Sequence, residues 1–190
     1  MRYSEYSCFE QKLAFHAAPS LLGIKASCML SLSRREFDIE ENINRFNKKA
    51  AVKGLHIDVL CECGSKALLL VYNRKLLQKR LSDAVIRRFL AAYGYSEDMN
   101  FEECISRLSY RIRNNDDFPH EVGIFLDYPL EDVIGFIENG GANYKFCGCH
   151  KVYGDEEKAV RTFSNYAKCR SFLCGRLNTG YDIYQALKIS

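Results

Sequence analysis

The chain carries its strongest local signal in the run Leu55-His-Ile-Asp-Val-Leu-Cys-Glu-Cys63, Gly64-Ser65, Lys66-Ala-Leu-Leu-Leu-Val-Tyr72. Its first part alternates apolar and polar side chains, as a half-buried strand does, and its last part is an apolar run of strand length. Only two residues separate the two parts, and Gly64 can adopt the positive φ that the first position of a type II′ turn requires. The run therefore predicts a β-hairpin.

Upstream of the hairpin, the pattern predicts a helix, a strand and a second helix. The first helix is expected to begin at Ser7, which has a glutamate three residues later, and to end or bend at Pro19. Residues 24–32 alternate in the manner of a half-buried strand. Asp38 also has a glutamate three residues later, and the helix that it caps is stopped by Gly54.

Downstream of the hairpin, helical patterns predominate. Residues 74–93 are typical of a helix that breaks near Ser82, because Ser82 and Asp83 favour a new N-terminus. Asn100 is placed to cap a further helix. Residues 114–117, Asn-Asn-Asp-Asp, form a polar loop, which we predict to be the flexible point of the chain.

The last third of the chain contains two more predicted strands, the apolar run of residues 122–126 and the segment of residues 144–153. A short helix is expected between them over residues 130–139, and a long helix from Glu156 to about residue 177. If the two strands are parallel neighbours, the short helix is their crossover connection. A long-range antiparallel arrangement is the alternative.

Helices and strands thus follow one another without an internal repeat. A length of 190 residues suits one domain. The sequence predicts a single α+β domain over residues 1–190, with a mixed sheet of about five strands that includes the hairpin and is packed by helices.

Composition and motifs exclude several classes of protein. Lys and Arg number 27 against 24 Asp and Glu, and a net charge of +3 is too small to indicate a nucleic-acid partner. No apolar run approaches the roughly 20 residues of a membrane helix, and no secretory signal precedes the first predicted helix, so we expect a cytoplasmic protein. The phosphate loop, the dinucleotide fingerprint, the nucleophile elbow and the zinc-protease helix are also absent.

Nine cysteines are present, an odd number at irregular spacing. This argues against a closed disulfide framework, and we expect reduced thiols. Strand alternation places Cys61 and Cys63 on the same face as Leu55, so both are predicted to lie in the core. Cys28 and Cys104 are predicted to be buried among apolar neighbours as well.

The sequence Cys147-Gly-Cys149-His150 is the leading candidate for chemistry. On the predicted strand both thiols share a face with Lys145 and Lys151, whose charges should lower the pKa of the thiols and favour reactive thiolate. The alternative interpretation is an edge strand that carries these thiols without a chemical role.

A metal site is a weaker hypothesis. Cysteines one residue apart lack the usual zinc spacing, and Cys169 and Cys174 lie about 140° apart around the last helix, so these two cannot share an ion. One of them could still complete a cluster with the Cys147 segment. The candidate metal ligands are Cys147, Cys149, His150, Cys169 and Cys174.

His120 precedes a predicted strand beside Glu121 and is the candidate base for a thiol–imidazole pair with Cys149. The catalytic candidates are therefore Cys149, His120 and Glu121. Residues 118–155 concentrate such side chains at strand ends, where they can face a ligand. The predicted ligand-binding residues are His16, His120, Glu121, Asp127, Tyr128, Cys149 and Tyr153.

Several segments together resemble a known family, the bacterial domain-of-unknown-function family 3793. They are residues 15–25 (FHAAPSLLGIK), 118–133 (FPHEVGIFLDYPLEDV), 135–139 (GFIEN) and 149–155 (CHKVYGD), with Tyr166-Ala-Lys-Cys169 and Cys174 in the last helix. The resemblance runs nearly end to end, and the combination is far more specific than any one motif.

The resemblance implies a bacterial, largely anaerobe-associated cytosolic setting but no reaction. Members of the family often occur near flavodoxin and ferrous-iron uptake functions, which implies a redox or iron context by association. Many members have Cys at the position of Ala17, which counts against a nucleophile there. Many have Trp at the position of His150, so this chain has an additional possible ligand beside Cys149.

Two functional hypotheses follow. The first is a redox- or iron-associated protein that binds a small ligand or a partner through residues 118–155. The second is a thiol-dependent hydrolase or transferase with Cys149 as nucleophile and His120 as base. Parallel pairing of the two late strands would separate His120 from Cys149, whereas antiparallel pairing would favour the enzyme. The sequence identifies no cofactor.

Overall fold

The computed structural model describes residues 4–115 and 117–189. In chain order these residues form α1 (Glu5–Leu21), β1 (Ser27–Ser33), α2 (Ile39–Ala50), a 3-10 turn (Ala51–Lys53), β2 (Leu55–Cys63), β3 (Lys66–Asn73), α3 (Arg74–Leu81), α4 (Ala84–Ala91), α5 (Phe101–Asn114), α6 (Val122–Phe125), α7 (Leu130–Glu138), β4 (Phe146–Cys147), β5 (Lys151–Val152), α8 (Glu156–Asn178) and α9 (Ile183–Leu187). Helices and antiparallel strands coexist, which confirms the α+β class. The assignment to one domain stays a prediction.

The predicted hairpin, β2 and β3, forms most of an antiparallel sheet whose order is β1-β3-β2. Gly64 has a φ of 56° in its turn, the positive value expected there. Side chains of the central strand β3 alternate between the two faces, and Leu69, Leu70, Val71 and Tyr72 are all buried. Burial on both faces explains why this strand is apolar without interruption.

Helices cover both faces of the sheet and produce two apolar clusters. On one face α1, α2, α8 and α9 pack around residues such as Phe9 and Phe46. On the other face α3 to α7 pack around residues such as Leu108 and Phe125. The sheet is therefore the middle layer between two layers of helices.

A register shift between Val59 and Cys61 interrupts the pairing of β2 with β3. Leu60 turns inward there and is fully buried, whereas Cys61 is half-buried and Cys63 is exposed. The prediction that Cys61 and Cys63 are core residues is therefore wrong. A bulge changes the face that each later side chain occupies, and simple alternation does not reveal it.

Two other cysteine predictions are confirmed, because Cys28 and Cys104 are both buried. Local capping signals also predict the helix starts well. At three N-termini the expected side chain accepts hydrogen bonds from backbone amides of the first turn: Asp38, Asp83 and Asn100. Asp155 caps the long helix in the same way. The first helix differs, since it begins at Glu5 and is capped by Ser4, to which the Ser7 amide donates at 3.1 Å.

The second half departs from the predicted topology. Residues 122–126 contain the short helix α6 instead of a strand, because a short apolar run fits a buried helix as well as a buried strand. Residues 144–153 contain two strands of two residues each, β4 and β5, which pair only with each other. The predicted mixed sheet of about five strands is therefore wrong, and neither the parallel crossover nor the antiparallel alternative occurs, because residues 122–126 form no strand. The described strands form one antiparallel sheet of three and one of two.

The predicted flexible loop begins where α5 ends at Asn114, and Asn115 is the extended residue that follows the helix. Asp116 lies outside the described residues, and the flexibility of this loop stays a prediction. Within residues 4–115 and 117–189, no helix combines the length and the apolar character that crossing a membrane requires.

Candidate functional site

A cavity of about 420 Å³ lies between β1, the α6–α7 segment and the turn that joins β4 to β5. Its walls are mainly apolar: Met29, Phe118, Val122, Leu126, Val133 and Phe136. A few polar side chains also line it: His120, Cys147, Cys149, His150, Lys151 and Asp132. An apolar cavity of this size with a small number of polar groups is typical of a small-molecule site.

The turn between α6 and α7 places Tyr128 in the cavity wall. Asp127 has a φ of 60°, and its carboxylate accepts a hydrogen bond from the Ala26 amide at 3.0 Å. Arg80 approaches Asp127 at 3.9 Å and donates to the Tyr128 carbonyl oxygen at 2.6 Å. Asp127 thus joins this turn to the start of β1 and does not line the cavity.

Asp132 joins α7 to the β4–β5 hairpin. Its side chain is 3% exposed, and one carboxylate oxygen accepts from the amides of Tyr153 at 2.7 Å and Gly154 at 2.9 Å. The other oxygen lies 2.9 Å from Nε2 of His150. Asp132 is not among the site residues predicted from the sequence. Its only local signal is its position three residues after Pro129, in the first turn of a predicted helix.

The His150 ring is enclosed by aromatic side chains. It stacks on Tyr128 with 4.2 Å between ring centroids and meets the edge of Phe163 at 5.0 Å. Burial lowers the pKa of His150, and the Asp132 carboxylate opposes this effect only in part. With Nε2 donating to the carboxylate, Nδ1 carries the lone pair, and this buried atom has no hydrogen-bond partner in the described structure.

Lys25 lies beside the same aromatic group and is only 7% exposed. Its ammonium is 5.0 Å from the centroid of the Tyr128 ring and 5.5 Å from that of Tyr166. Within the described part of the chain it forms no ion pair, and both ring faces attract its positive charge. Burial raises the pKa of Tyr128 to about 12.

The two thiols of the 147–149 segment are exposed, and both line the cavity. The neighbouring atoms nevertheless bury the Cys149 thiol in part, which raises its pKa, and the opposing charges are those of Lys25 and Arg170. The predicted lowering by the flanking lysines is therefore wrong for Cys149. Lys145 donates to the Gly154 carbonyl at 2.9 Å, and Lys151 donates to that of Gly141 at 2.6 Å.

The structure brings together five of the residues singled out from the sequence: His120, Tyr128, Cys147, Cys149 and His150. His120 is exposed and meets the edge of Phe136 at 5.1 Å.

Other predicted residues lie elsewhere. Glu121 is fully buried, pairs with Arg111 and accepts from the Tyr95 hydroxyl at 3.5 Å. His16 is exposed on α1 beside Phe15. Tyr153 lies outside the cavity lining, and its hydroxyl donates to the Ala142 carbonyl at 2.8 Å.

The remaining metal candidates, Cys169 and Cys174, are half-buried on α8 and pack against the cluster formed with α1. Across residues 4–115 and 117–189, no three His, Cys, Asp or Glu side chains are grouped so that they could hold a metal ion.

Fold and site together define an α+β protein with an aromatic, thiol-bearing cavity beside a three-stranded antiparallel sheet. Residues 13–187 match the family described as a protein of unknown function, DUF3793, and the chain belongs to that family. Neither the curated proteins nor the solved structures include a significant match.

Proposed function

We propose that this protein binds a small, planar and largely apolar ligand that carries an anionic group, in a redox- or iron-associated role. The observation that carries the proposal is the cavity of about 420 Å³ between α6, α7 and the β4–β5 turn. Its volume lies within the range of small-molecule sites, and its lining has the expected excess of apolar side chains.

Aromatic side chains support a planar ligand. Phe118 and Phe136 line the cavity, with Phe118 45% exposed at its edge. Tyr128 also lines the cavity, and its ring stacks on His150. Aromatic rings gain most from offset or edge contacts with other flat rings, so such a lining favours a flat ligand.

Polar groups at the cavity support an anionic substituent. The ammonium of Lys151 lies 5.5 Å from the Phe136 ring centroid and 5.1 Å from that of Tyr144, next to the aromatic lining. His120 is exposed at the same cavity and can donate a hydrogen bond. A flavin and a haem both combine a flat apolar body with anionic groups, and they serve as the redox and iron probes.

Titration with flavin mononucleotide, haemin and the aromatic sulfonate 8-anilino-1-naphthalenesulfonate tests the proposal by absorbance and fluorescence. We expect saturable binding of at least one probe, weakened by Phe118→Ala. Phe15→Ala is the matched control, because Phe15 is 50% exposed on α1 and does not line the cavity. An equal loss of probe affinity in both variants, or no saturable binding of any probe, would contradict a ligand site in this cavity.

The second hypothesis, a thiol-dependent hydrolase or transferase, has one observation in its favour. Cys149 and His120 line the same cavity. The raised pKa of Cys149 argues in the other direction, because a thiol nucleophile needs a substantial thiolate fraction near neutral pH. The pH dependence of Cys149 alkylation distinguishes the two functions.

A further inference from the structure

Cys147 and Cys149 flank the single residue Gly148 at the turn between β4 and β5. Both are free thiols, both are exposed, and both line the cavity. We propose that these two cysteines form a reversible dithiol–disulfide pair that closes across Gly148 and exchanges with small disulfides. The proposal is independent of any ligand in the cavity.

The turn gives this pair a geometry that the same spacing lacks in a strand. Side chains two residues apart in a strand point the same way and are separated by roughly 6.6 Å, whereas disulfide Cβ atoms lie about 3.5–4.5 Å apart. Residues 148–150 are bends that leave the strand pairing after Cys147. The backbone over residues 148–150 therefore already departs from the extended conformation that would keep the two side chains at the strand separation.

Cys61 and Cys63 provide a matched comparison within the chain, because they have the same spacing around Glu62. All three of these residues remain paired with β3, opposite Leu68, Ala67 and Lys66. Closing a disulfide there would require the end of the ladder to open. Spacing alone thus does not distinguish the two pairs, but backbone conformation does.

Contacts with α8 hold the 147–149 turn in place. The Phe163 ring lies so close to Gly148 that a Cβ atom there would meet it at 2.4 Å. Phe163 also stacks on Phe146 at 6.1 Å and contacts the ring of His150. The turn is therefore seated on a 23-residue helix, and its two thiols stay at the cavity edge.

The atoms and electrons of this exchange balance when a small disulfide, RSSR, is the oxidant. The Cys147 thiolate attacks one sulfur of RSSR, the S–S bond breaks, and RS⁻ leaves and takes up a proton. The Cys149 thiolate then attacks the Cys147 sulfur of the mixed disulfide and releases the second RS⁻. The protein loses two electrons and two protons, and RSSR becomes two thiols.

Both thiols are exposed at the cavity, so either can reach a small disulfide. Burial raises the pKa of Cys149, which slows attack by this thiol near neutral pH. For this reason we assign the first attack to Cys147 and the resolving step to Cys149.

The native protein is equilibrated with glutathione disulfide and glutathione at a series of ratios, alkylated and digested with trypsin. We expect peptide 146–151 to lose two hydrogen atoms reversibly, while peptide 54–66, which contains Cys61 and Cys63, remains fully alkylated. A 146–151 peptide that stays reduced at every ratio, or equal oxidation of both peptides, would overturn the proposal.

Single variants test the intramolecular step. Cys149→Ala should accumulate a glutathione adduct on Cys147, because no resolving thiol remains, and Cys147→Ala should acquire its adduct on Cys149 more slowly. The wild type should carry little adduct at either residue. An adduct in the wild type as abundant as in Cys149→Ala would show that the two thiols do not close on each other.

Discussion

Glu10 lies in α1 and is only 5% exposed, although no arginine or lysine pairs with it directly among the described residues. Burial is the main cause that raises its pKa to about 7, and the charge of Asp182 adds to it. The Ile183 amide, Arg45 and Lys49 act in the opposite direction. The Tyr6 and Tyr184 hydroxyls contact each other beside this carboxyl group, between α1 and α9.

A raised pKa means that the folded protein holds the Glu10 proton more tightly than the unfolded chain does. The stabilisation that the protonated Glu10 side chain gives the folded state is complete below the ordinary pKa near 4.3. It shrinks as pH rises and is lost above about pH 7. The loss corresponds to roughly 3 kcal/mol. We expect Glu10→Gln to be more stable than the wild type in urea at pH 8 and nearly equal to it at pH 4.5.

Glu36→Gln is the control for this comparison, because Glu36 is exposed in the loop after β1. Its urea midpoint should follow that of the wild type at both pH values. An unfolding free energy of Glu10→Gln that runs parallel to the wild type across the whole pH range would refute the assignment to Glu10.

Cys149 is the residue that decides between a binding protein and a thiol enzyme. Because burial outweighs the charges of Lys25 and Arg170, we expect the pH midpoint of its alkylation by iodoacetamide to lie above the ordinary value of about 8.5. Lys25→Met should raise the midpoint further, since Lys25 lowers the pKa of this thiol. Tandem mass spectrometry of tryptic peptide 146–151 measures the extent of alkylation at Cys149 at each pH.

Lys145→Met is the matched control, because the Lys145 ammonium is bonded to the Gly154 carbonyl and does not contribute to the Cys149 shift. It should leave the midpoint unchanged, measured on tryptic peptide 114–151 because this substitution removes the cleavage site before Phe146. A wild-type midpoint near neutral pH would instead favour the thiol-dependent hydrolase or transferase.

At the scale of an element, two glycines, one packed against α8 and one within it, are expected to respond in opposite ways to substitution by alanine. A Cβ atom at Gly148 would meet the Phe163 ring of α8 at 2.4 Å, whereas one at Gly175, within α8, meets nothing within 4 Å. We expect Gly148→Ala to lower the free energy of unfolding by about 1–3 kcal/mol through overpacking. Gly175→Ala should raise it by about 0.5–1 kcal/mol, because alanine restricts the unfolded chain and suits a helix.

Thermal unfolding of the two variants against the wild type provides the measurement. Both substitutions add the same methyl group, so Gly175→Ala is the control for that change. A Gly148→Ala variant at least as stable as the wild type would mean that the β4–β5 turn is not seated on Phe163 as described.

Local signals predicted some elements well and others poorly for a physical reason. The Asp83 and Asn100 caps act within one turn of helix, so three or four residues suffice to reveal them. The bulge at Leu60 depends on packing against the far face of the sheet, and α6 depends on complete burial of a short run. Neither cause is contained in the local pattern.

At the scale of the whole molecule, the cavity combines Met29 of β1 with side chains of residues 118–151, which lie far from it in sequence. The sequence predicted that residues 118–155 would concentrate the site, and His120, Tyr128 and Cys149 do meet there. It could not predict that Glu121 points into the core towards Arg111. Burial of that ion pair depends on how α5 packs, which one sequence does not reveal.

Asp132 is the link between the β4–β5 hairpin and the rest of the molecule, because its carboxylate holds two hairpin amides and His150 together. Asp132→Asn keeps the shape but places an amide NH₂ where an acceptor is needed. If that NH₂ faces Nε2, His150 must move its proton to Nδ1, which is buried without a partner. An unsatisfied buried donor costs about 1–3 kcal/mol.

We therefore expect Asp132→Asn to open the hairpin locally while the three-stranded sheet stays closed. Hydrogen exchange should accelerate at residues 144–154 and remain slow at β1 and β3, where each strand is paired and buried. The neighbouring exposed residue supplies the control, since Glu131→Gln leaves the Asp132 bonds intact. Uniform acceleration of exchange across the sheet and the hairpin would mean that Asp132 supports the whole fold. Unchanged exchange in the hairpin would mean that other contacts, such as those with Phe163, are sufficient to hold it.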